Sequence, residues 1–288
     1  MKWFGGRESD DVEEGSSSGS GRGMIFGGGI LGLVGLIIYL ITGVNPSQLF
    51  NGNGGNDSTQ QTNTRSVSSP ESDAKKLSRV VFEGTTLVWD SLFRTMGKTY
   101  RHPILHFYTD QVDAACGFAT AATGPFYCPA DKRVYLDLSF FDELHSRFQA
   151  PGEAAEAYVI AHEVGHHVQN LLGISDKMDR AHSQLSKSAY NKLSVKLELQ
   201  ADFYAGLWAH YEALNHHNNI VIERADIDSA LNAAHQIGDD RLQQKYQGRV
   251  TPDSFTHGSS AQRMHWFKKG YDTGDIAQGN TFANNELE

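Results

Sequence analysis

A short stretch of the sequence, AHEVGHHVQN at positions 161–170, carries residue types that do chemistry. His162 and His166 stand four residues apart with Glu163 between them, which is the pattern H-E-x-x-H. On a helix, residues four apart differ by ~40° around the axis and ~6 Å along it, so both imidazoles can bind one metal ion from a single face. Glu163 lies beside the pair and is placed to transfer a proton rather than to bind the metal. The stretch predicts one Zn²⁺ ion with hydrolytic chemistry.

A zinc ion that keeps one position open for chemistry needs a third protein ligand, which must come from another element. The segment LSVKLELQADFYAGLWAH, residues 193–210, places Glu198 and Asp202 on one face of a largely apolar helix. A buried carboxylate needs a charge partner. We therefore predict that Glu198 is the third ligand and that Asp202 accepts a hydrogen bond from the outer nitrogen of a ligating histidine. A salt-bridged helix is the alternative, with Lys192 and Lys196 as the nearby cations.

Two further residues of the first stretch have other predicted roles. His167 is turned ~100° from His166, so it cannot bind the same ion from the same helix, and we expect it in packing or behind the ligands. Gly165 costs a helix ~1 kcal/mol relative to alanine. Its position between the metal face and the core face predicts that another backbone approaches there.

The elements that must hold these residues indicate an α+β fold, because a short sheet region precedes a series of helices. The segment RVYLDL, Arg133–Leu138, is either an ordinary sheet strand or an edge strand that binds a substrate peptide by strand addition. The predicted helices are 74–97 with an interruption at Gly84, 153–172, a pair within 177–215, 225–246 and 259–271, and the other predicted strand is Ile104–Tyr108.

Composition divides the chain into five segments. Residues 1–23 are rich in Gly, Ser and acidic residues, which predicts disorder. Residues 24–42 are apolar and predict a transmembrane helix, and residues 43–72 are polar and predict a flexible linker. The folded domain that carries the metal-binding pattern is expected at 73–274, followed by a polar tail at 275–288.

The apolar segment 24–42 carries no charge and is long enough to span a bilayer as a helix. A cleaved signal peptide and a buried core helix are the alternatives, but the run is long for a signal peptide and stands between polar tracts. Basic residues precede it, while Arg65 is the first basic residue after it. This asymmetry predicts a single-pass protein of the inner membrane with a cytoplasmic N-terminus and a periplasmic domain. Gly28 and Gly32 form a G-x-x-x-G that could pair two such helices.

The charge balance and the cysteines set two further limits. The formal net charge is −9 and no block of basic residues is present, so nucleic acid is not an expected partner. Cys116 and Cys128 are the two cysteines of the chain. In an exported domain they predict one disulfide, whereas in a cytosolic protein they would be free thiols.

The combination of H-E-x-x-H with E-x-x-x-D resembles the gluzincin zinc peptidases, in which two histidines and a glutamate bind zinc. More closely, the sequence resembles the bacterial family of neutral zinc metallopeptidases. The resemblance implies a zincin-like fold and peptidase activity, with zinc held by His162, His166 and Glu198. It runs almost from end to end and rests on RESDDVE, the Gly-rich apolar segment, CGFATAATGPFYCPAD, VYLDLSFF, AHEVGHHVQ, ELQAD and FTHGSSAQR.

A histidine later in the chain has a role implied by resemblance. The stretch containing His257 and Arg263, THG followed by an arginine, resembles a THP…R stretch in membrane-associated gluzincins, where the histidine lies close to the zinc. We expect His257 to stabilise the oxyanion of the tetrahedral intermediate or to cover the open metal position. The alternative is a loop histidine that caps a helix. For Arg263 we expect a salt bridge.

The sequence thus predicts a membrane-anchored zinc endopeptidase that acts on polypeptides with Glu163 as general base. One alternative is a zinc-dependent hydrolase of amide bonds in cell-wall peptides. The other is a non-catalytic scaffold that keeps the zinc site for folding.

Overall fold

The computed structural model describes residues 1–15 and 70–283. None of the helices in this part of the chain is long and apolar enough to cross a bilayer. The predicted span 24–42, with its Gly28–Gly32 pair, lies outside the described residues. The strands are β1 Val12–Glu14, β2 Ile104–Phe107, β3 Gln111–Ala114, β4 Gly117–Thr120, β5 Phe126–Cys128 and β6 Arg133–Leu136. The helices are α1 Pro70–Thr95, α2 Ser139–Ser146, α3 Glu153–Leu171, α4 Ile174–Gln184, α5 Lys187–Asn215, α6 Arg224–Gln236, α7 Asp239–Gln247 and α8 Ser260–Thr273.

The main sheet has the strand order β1-β2-β6-β5. Strands β1, β2 and β6 run parallel, and β5 runs antiparallel to β6. Strands β3 and β4 form a separate antiparallel hairpin. Because β6 has a partner on each side, the suggestion that Arg133–Leu138 is an edge strand is wrong, and the reading as an ordinary sheet strand is correct. Within the described residues, the strands at the two ends of the sheet are β1 and β5.

The helices agree with the predicted helix-rich α+β class, with two differences. Helix α1 continues through Gly84, where an interruption was expected. The predicted helix 225–246 is two helices, α6 and α7, which are separated at Ile237 and Gly238. The helical core forms mainly where α3 and α5 pack together and against α1, α6 and α8.

Helices α5 and α8 cross at two glycines. A Cβ atom on Gly206 would lie 1.9 Å from the carbonyl oxygen of Phe267, and one on Gly270 would lie 2.1 Å from that of Phe203. Such distances are far below van der Waals contact, so the crossing requires glycine at both positions. The close crossing brings the first turns of α8 against the middle of α5, where Asp202 lies.

Both ends of the described chain pack on the domain. Trp3 is only 1% exposed and Val12–Glu14 forms β1, so the structure differs from the predicted disorder of residues 1–23 over residues 1–15. The physical reason is that this charged segment has partners on the domain that composition alone does not show. Within the predicted tail 275–288, the amide nitrogen of Gln200 donates to the carbonyl of Gly279 at 2.8 Å, which holds the tail on α5.

Glu212, near the end of α5, is a fully buried carboxylate, and burial raises its pKa from 4.5 to about 7. Between these two values the folded protein binds more protons than the unfolded chain, so the free energy of unfolding falls as pH rises through that window and levels off above it. The loss amounts to ~3 kcal/mol at most. We predict that Glu212→Gln abolishes this fall and is more stable than the unchanged protein at pH 8.

Denaturant unfolding of both proteins between pH 5 and 8 measures the difference. Glu223→Gln is the matched control, because Glu223 is exposed and its ion pair is with Lys2, which is exposed as well. Parallel stability curves for Glu212→Gln and the unchanged protein would contradict the prediction.

Candidate metal centre

Helices α3 and α5 bring the three predicted zinc ligands together. His162 Nε2 lies 3.2 Å from Glu198 Oε2, and His166 Nε2 lies 3.6 Å from Glu198 Oε1. One ligand atom from each residue lies within 4.8 Å of the others, and within the described residues this is the group of His, Cys, Asp or Glu suited to a metal ion. Tetrahedral zinc with bonds of ~2.0–2.1 Å places its ligand atoms ~3.4 Å apart. The donor types and their spacing therefore fit one zinc ion.

The outer nitrogens of both ligand histidines are held by hydrogen bonds. His162 Nδ1 donates to Asp202 Oδ1 at 2.9 Å, and His166 Nδ1 donates to Gln169 Oε1 at 2.9 Å. Gln169 is itself fixed, because its amide nitrogen donates to the carbonyl of Leu197 at 2.7 Å. These bonds favour the tautomer whose Nε2 carries no proton and faces Glu198, which is the form that binds a metal. Asp202 lies where the sequence predicted it.

Asp202 is the centre of a buried charge network. The guanidinium of Arg263 donates from Nε to Asp202 Oδ2 at 2.8 Å and from Nη2 to Oδ1 at 2.9 Å. The hydroxyl of Tyr158 donates to Asp202 Oδ1 at 2.5 Å and accepts from Arg263 Nη2 at 3.0 Å. Burial raises the pKa of Asp202, but Arg263 and His162 together hold it below its ordinary value. Arg263 therefore forms the salt bridge expected for it, and its partner Asp202 is the carboxylate that accepts the hydrogen bond of His162.

Glu163 is buried beside the ligands without being one of them. It is 2% exposed, and burial raises its pKa although His166 and His162 act in the opposite direction. The backbone of Tyr127 in strand β5 hydrogen-bonds the Glu163 carboxylate. The end strand of the sheet therefore touches the residue that the sequence predicts as general base.

His167 points away from the ligands and fixes strand β5. Its Nε2 donates to the carbonyl of Arg101 at 2.6 Å, and its Nδ1 accepts from the Tyr127 hydroxyl at 2.9 Å. Burial lowers the pKa of His167 to about 4, so the ring is neutral and one nitrogen can accept while the other donates. The amide of Asn170 also donates to the Tyr127 hydroxyl at 2.9 Å. His167 therefore lies behind the ligands, in one of the two roles expected for it.

Gly165 lies where α3 and α5 come closest. A Cβ atom at this position would lie 3.1 Å from the carbonyl oxygen of Ala201 and 3.2 Å from its Cα. Ala201 stands between Glu198 and Asp202 in the sequence. The missing side chain thus lets the helix with the two carboxylates approach the helix with the two histidines, as the sequence predicted.

His257 lies in the turn before α8 and is 6% exposed. Asp239 accepts from its backbone nitrogen at 2.7 Å and lies 3.4 Å from its Nδ1. His257 also interacts electrostatically with Glu198: burial raises the pKa of Glu198, but His166 and His257 contribute to holding it well below its usual value. The role of His257 toward an oxyanion stays a prediction.

Cys116 and Cys128 form a disulfide. Cys128 lies in β5 and is fully buried, while Cys116 is exposed in the turn between β3 and β4. The bond ties the β3–β4 hairpin to the end strand of the sheet.

Three functional positions were missed by sequence reasoning. Tyr158 precedes His162 by four residues, and Gln169 follows His166 by three, so helical spacing could have pointed to both. Tyr127 has no such signal, because it reaches Glu163 and His167 from a different element.

The fold and the site define a helix-rich α+β protein with a largely buried His-His-Glu cluster that could hold a metal ion. The chain matches the family described as "Putative neutral zinc metallopeptidase" over residues 1–282, and it belongs to that family.

Relatives of the chain cover most of its length. It is 47% identical over 288 residues to "Uncharacterized protein YpfJ" of Escherichia coli K12, which covers 98% of this chain and 99% of the relative. It is 41% identical over 216 residues to "Uncharacterized protein Rv2575" of Mycobacterium tuberculosis H37Rv, with 73% of this chain and 71% of the relative covered. No solved structure matches the chain significantly.

We predict that Asp202→Asn weakens zinc binding ~10–100-fold, because the outer nitrogen of His162 loses its anionic acceptor. Asp228→Asn is the matched control, since Asp228 is exposed on α6. Competition with a chromophoric chelator measures the affinity of both variants. An Asp202→Asn protein that is folded and binds zinc as tightly as the control would show that the Asp202–His162 bond does not support the ligand.

Proposed function

We propose that this protein is a zinc-dependent endopeptidase. The observation that carries the proposal is the position of Glu163, buried beside the three ligand atoms and in contact with the backbone of β5. A site that served folding alone would need the ligands but not an adjacent buried carboxylate. Membership of the metallopeptidase family supports the same activity.

His162, His166 and Glu198 would hold the zinc ion. When bound, zinc polarises a carbonyl group and brings the pKa of a coordinated water toward neutrality. Glu163 takes the proton of the attacking water and returns it to the leaving amine. Burial moves the pKa of Glu163 upward, toward the working pH, which suits a group that must both accept and release a proton.

The substrate in this proposal is an extended polypeptide that adds to strand β5. This strand has β6 as its strand partner among the described residues, and the proposal places the substrate on its other side, where the Tyr127 backbone already contacts Glu163. Tyr127 in the middle of β5 contacts Glu163, so a peptide paired here runs past the general base. The role that the sequence suggested for Arg133–Leu138 therefore moves to β5.

His257 is the group we propose for the oxyanion of the tetrahedral intermediate. Its electrostatic interaction with Glu198 supports this role, and Asp239 fixes its backbone and its ring. A donor held in place before the reaction stabilises developing negative charge without reorganisation.

For the location, we propose an exported domain attached to a bilayer through residues 24–42. The Cys116–Cys128 disulfide supports an oxidising compartment. The net charge of −9 gives no support for nucleic acid as a partner.

We predict that Glu163→Gln lowers the rate of peptide hydrolysis by ~10²–10⁴-fold and keeps the zinc, because the amide cannot accept a proton but leaves the ligands in place. His162→Ala, in contrast, is expected to lose both the zinc and the hydrolysis. The measurements are the zinc content of the purified full chain and its hydrolysis of an unfolded protein substrate.

Glu153→Gln is the matched control, since it makes the same change on α3 away from the ligands. Equal activity of Glu163→Gln and this control would refute the assignment of the general base. Hydrolysis of cell-wall fragments but not of unfolded protein would identify the amide hydrolase instead. A zinc-loaded chain that is inert on both substrates would identify a scaffold.

A further inference from the structure

Residues 1–15 are held on the domain formed by residues 70–283 through contacts of both their backbone and their side chains. Trp3 is buried in the hydrophobic core, and Lys2 exchanges two backbone hydrogen bonds with Val221 at 3.1 and 2.8 Å. Asn218 holds the backbone of Arg7 on both sides, accepting from its nitrogen at 2.9 Å and donating to its oxygen at 2.8 Å. The segment is therefore an ordered part of the domain.

Most charged residues of the segment have a partner of opposite sign on the domain. Glu13 accepts two hydrogen bonds from the guanidinium of Arg133, at 3.0 and 3.1 Å, across the β1–β2–β6 sheet. Arg7 pairs with Glu83 on α1. The motif RESDDVE is thus a docking sequence, which explains why a stretch with so many charges is ordered.

The end of the N-terminal segment, near residue 15, lies close to the start of α1, near residue 70. Glu14 Oε1, at the end of β1, is 2.7 Å from Lys75 Nζ in the second turn of α1. The backbone nitrogen of Gly15 donates to the carbonyl of Phe107 at 2.7 Å. The chain therefore leaves the domain beside the point where it returns.

We propose that residues 1–15 and residues 70–283 form one folded unit on the same side of the membrane. A single crossing by residues 24–42 would separate them by a hydrocarbon layer of ~30 Å, which the observed contacts do not allow. The run is long enough for one crossing and too short for two. The orientation expected from the basic residues, with a cytoplasmic N-terminus and an exported domain, is replaced by one in which the N-terminal segment accompanies the domain.

The test places one reactive thiol on each part of the full chain. Asp10→Cys and Ser188→Cys are suitable because both side chains are exposed, and the disulfide leaves Cys116 and Cys128 unreactive. Each variant is expressed in a bacterial host and treated with a membrane-impermeant maleimide, in intact spheroplasts and after lysis. We expect equal labelled fractions for the two variants in spheroplasts, relative to lysed cells.

Labelling of Ser188→Cys with protection of Asp10→Cys, or the reverse, would overturn the proposal. Labelling of both supports it together with an exported domain. Protection of both also supports it, and refutes export while leaving the proposed peptidase activity untouched. The labelling readout does not depend on activity, so failure of the zinc peptidase proposal and failure of this one are distinguishable.

A zero-length cross-link gives a second test in native membranes. A carbodiimide joins a carboxylate to an amine that it contacts, and the Glu14–Lys75 pair is accessible, with side chains 59% and 33% exposed. We expect mass spectrometry to detect the peptide that joins Glu14 to Lys75, and to lose it in the Glu14→Gln variant. Absence of this peptide from the unchanged protein would count against the docked segment.

Discussion

The buried carboxylate of Asp202 is the constraint on which the arrangement of the site depends. It has no contact with solvent, and a charge in that position costs several kcal/mol unless donors surround it. The donors come from two other helices, since Tyr158 and His162 lie on α3 and Arg263 lies on α8. All three helices must therefore meet within hydrogen-bond distance of one carboxylate. The close approach at the glycines of α3, α5 and α8 makes that meeting sterically feasible.

The same network explains why a cation would stabilise the site. Three buried carboxylates, those of Glu163, Glu198 and Asp202, face one buried guanidinium, that of Arg263, so two negative charges remain. A divalent ion at the histidines balances them. Without a metal ion, protons bound to the histidines can balance the same charges. Burial lowers the pKa of His162, but Asp202 and Glu198 raise it to about 9 overall. Metal and proton therefore compete for the same imidazole, and the tight packing of α3 on α5 is compatible with either.

The sequence allowed us to predict those site residues that are related by helical spacing. His162, Glu163 and His166 follow from one period of α3, and Glu198 with Asp202 from one period of α5. The remaining features depend on contacts between distant parts of the chain. Glu13 meets Arg133 across 120 residues of sequence, and composition averaged over the first 23 residues concealed that pairing. Tyr127 could not be inferred, since an alternating pattern is the same for an interior strand and an end strand.

The two ends of the sheet differ in a way that bears on the proposed peptidase activity. Strands β1 and β5 both have one partner among the described residues, but β1 is separated from β5 by two strands, or ~14 Å at the usual spacing. A peptide added to β1 would therefore lie far from Glu163. Strand β1 also carries Glu13 and Glu14, and charged side chains discourage strand addition. Because a charged segment forms the remote end of the sheet, β5, adjacent to Glu163, is the end suited to the extended substrate that we propose.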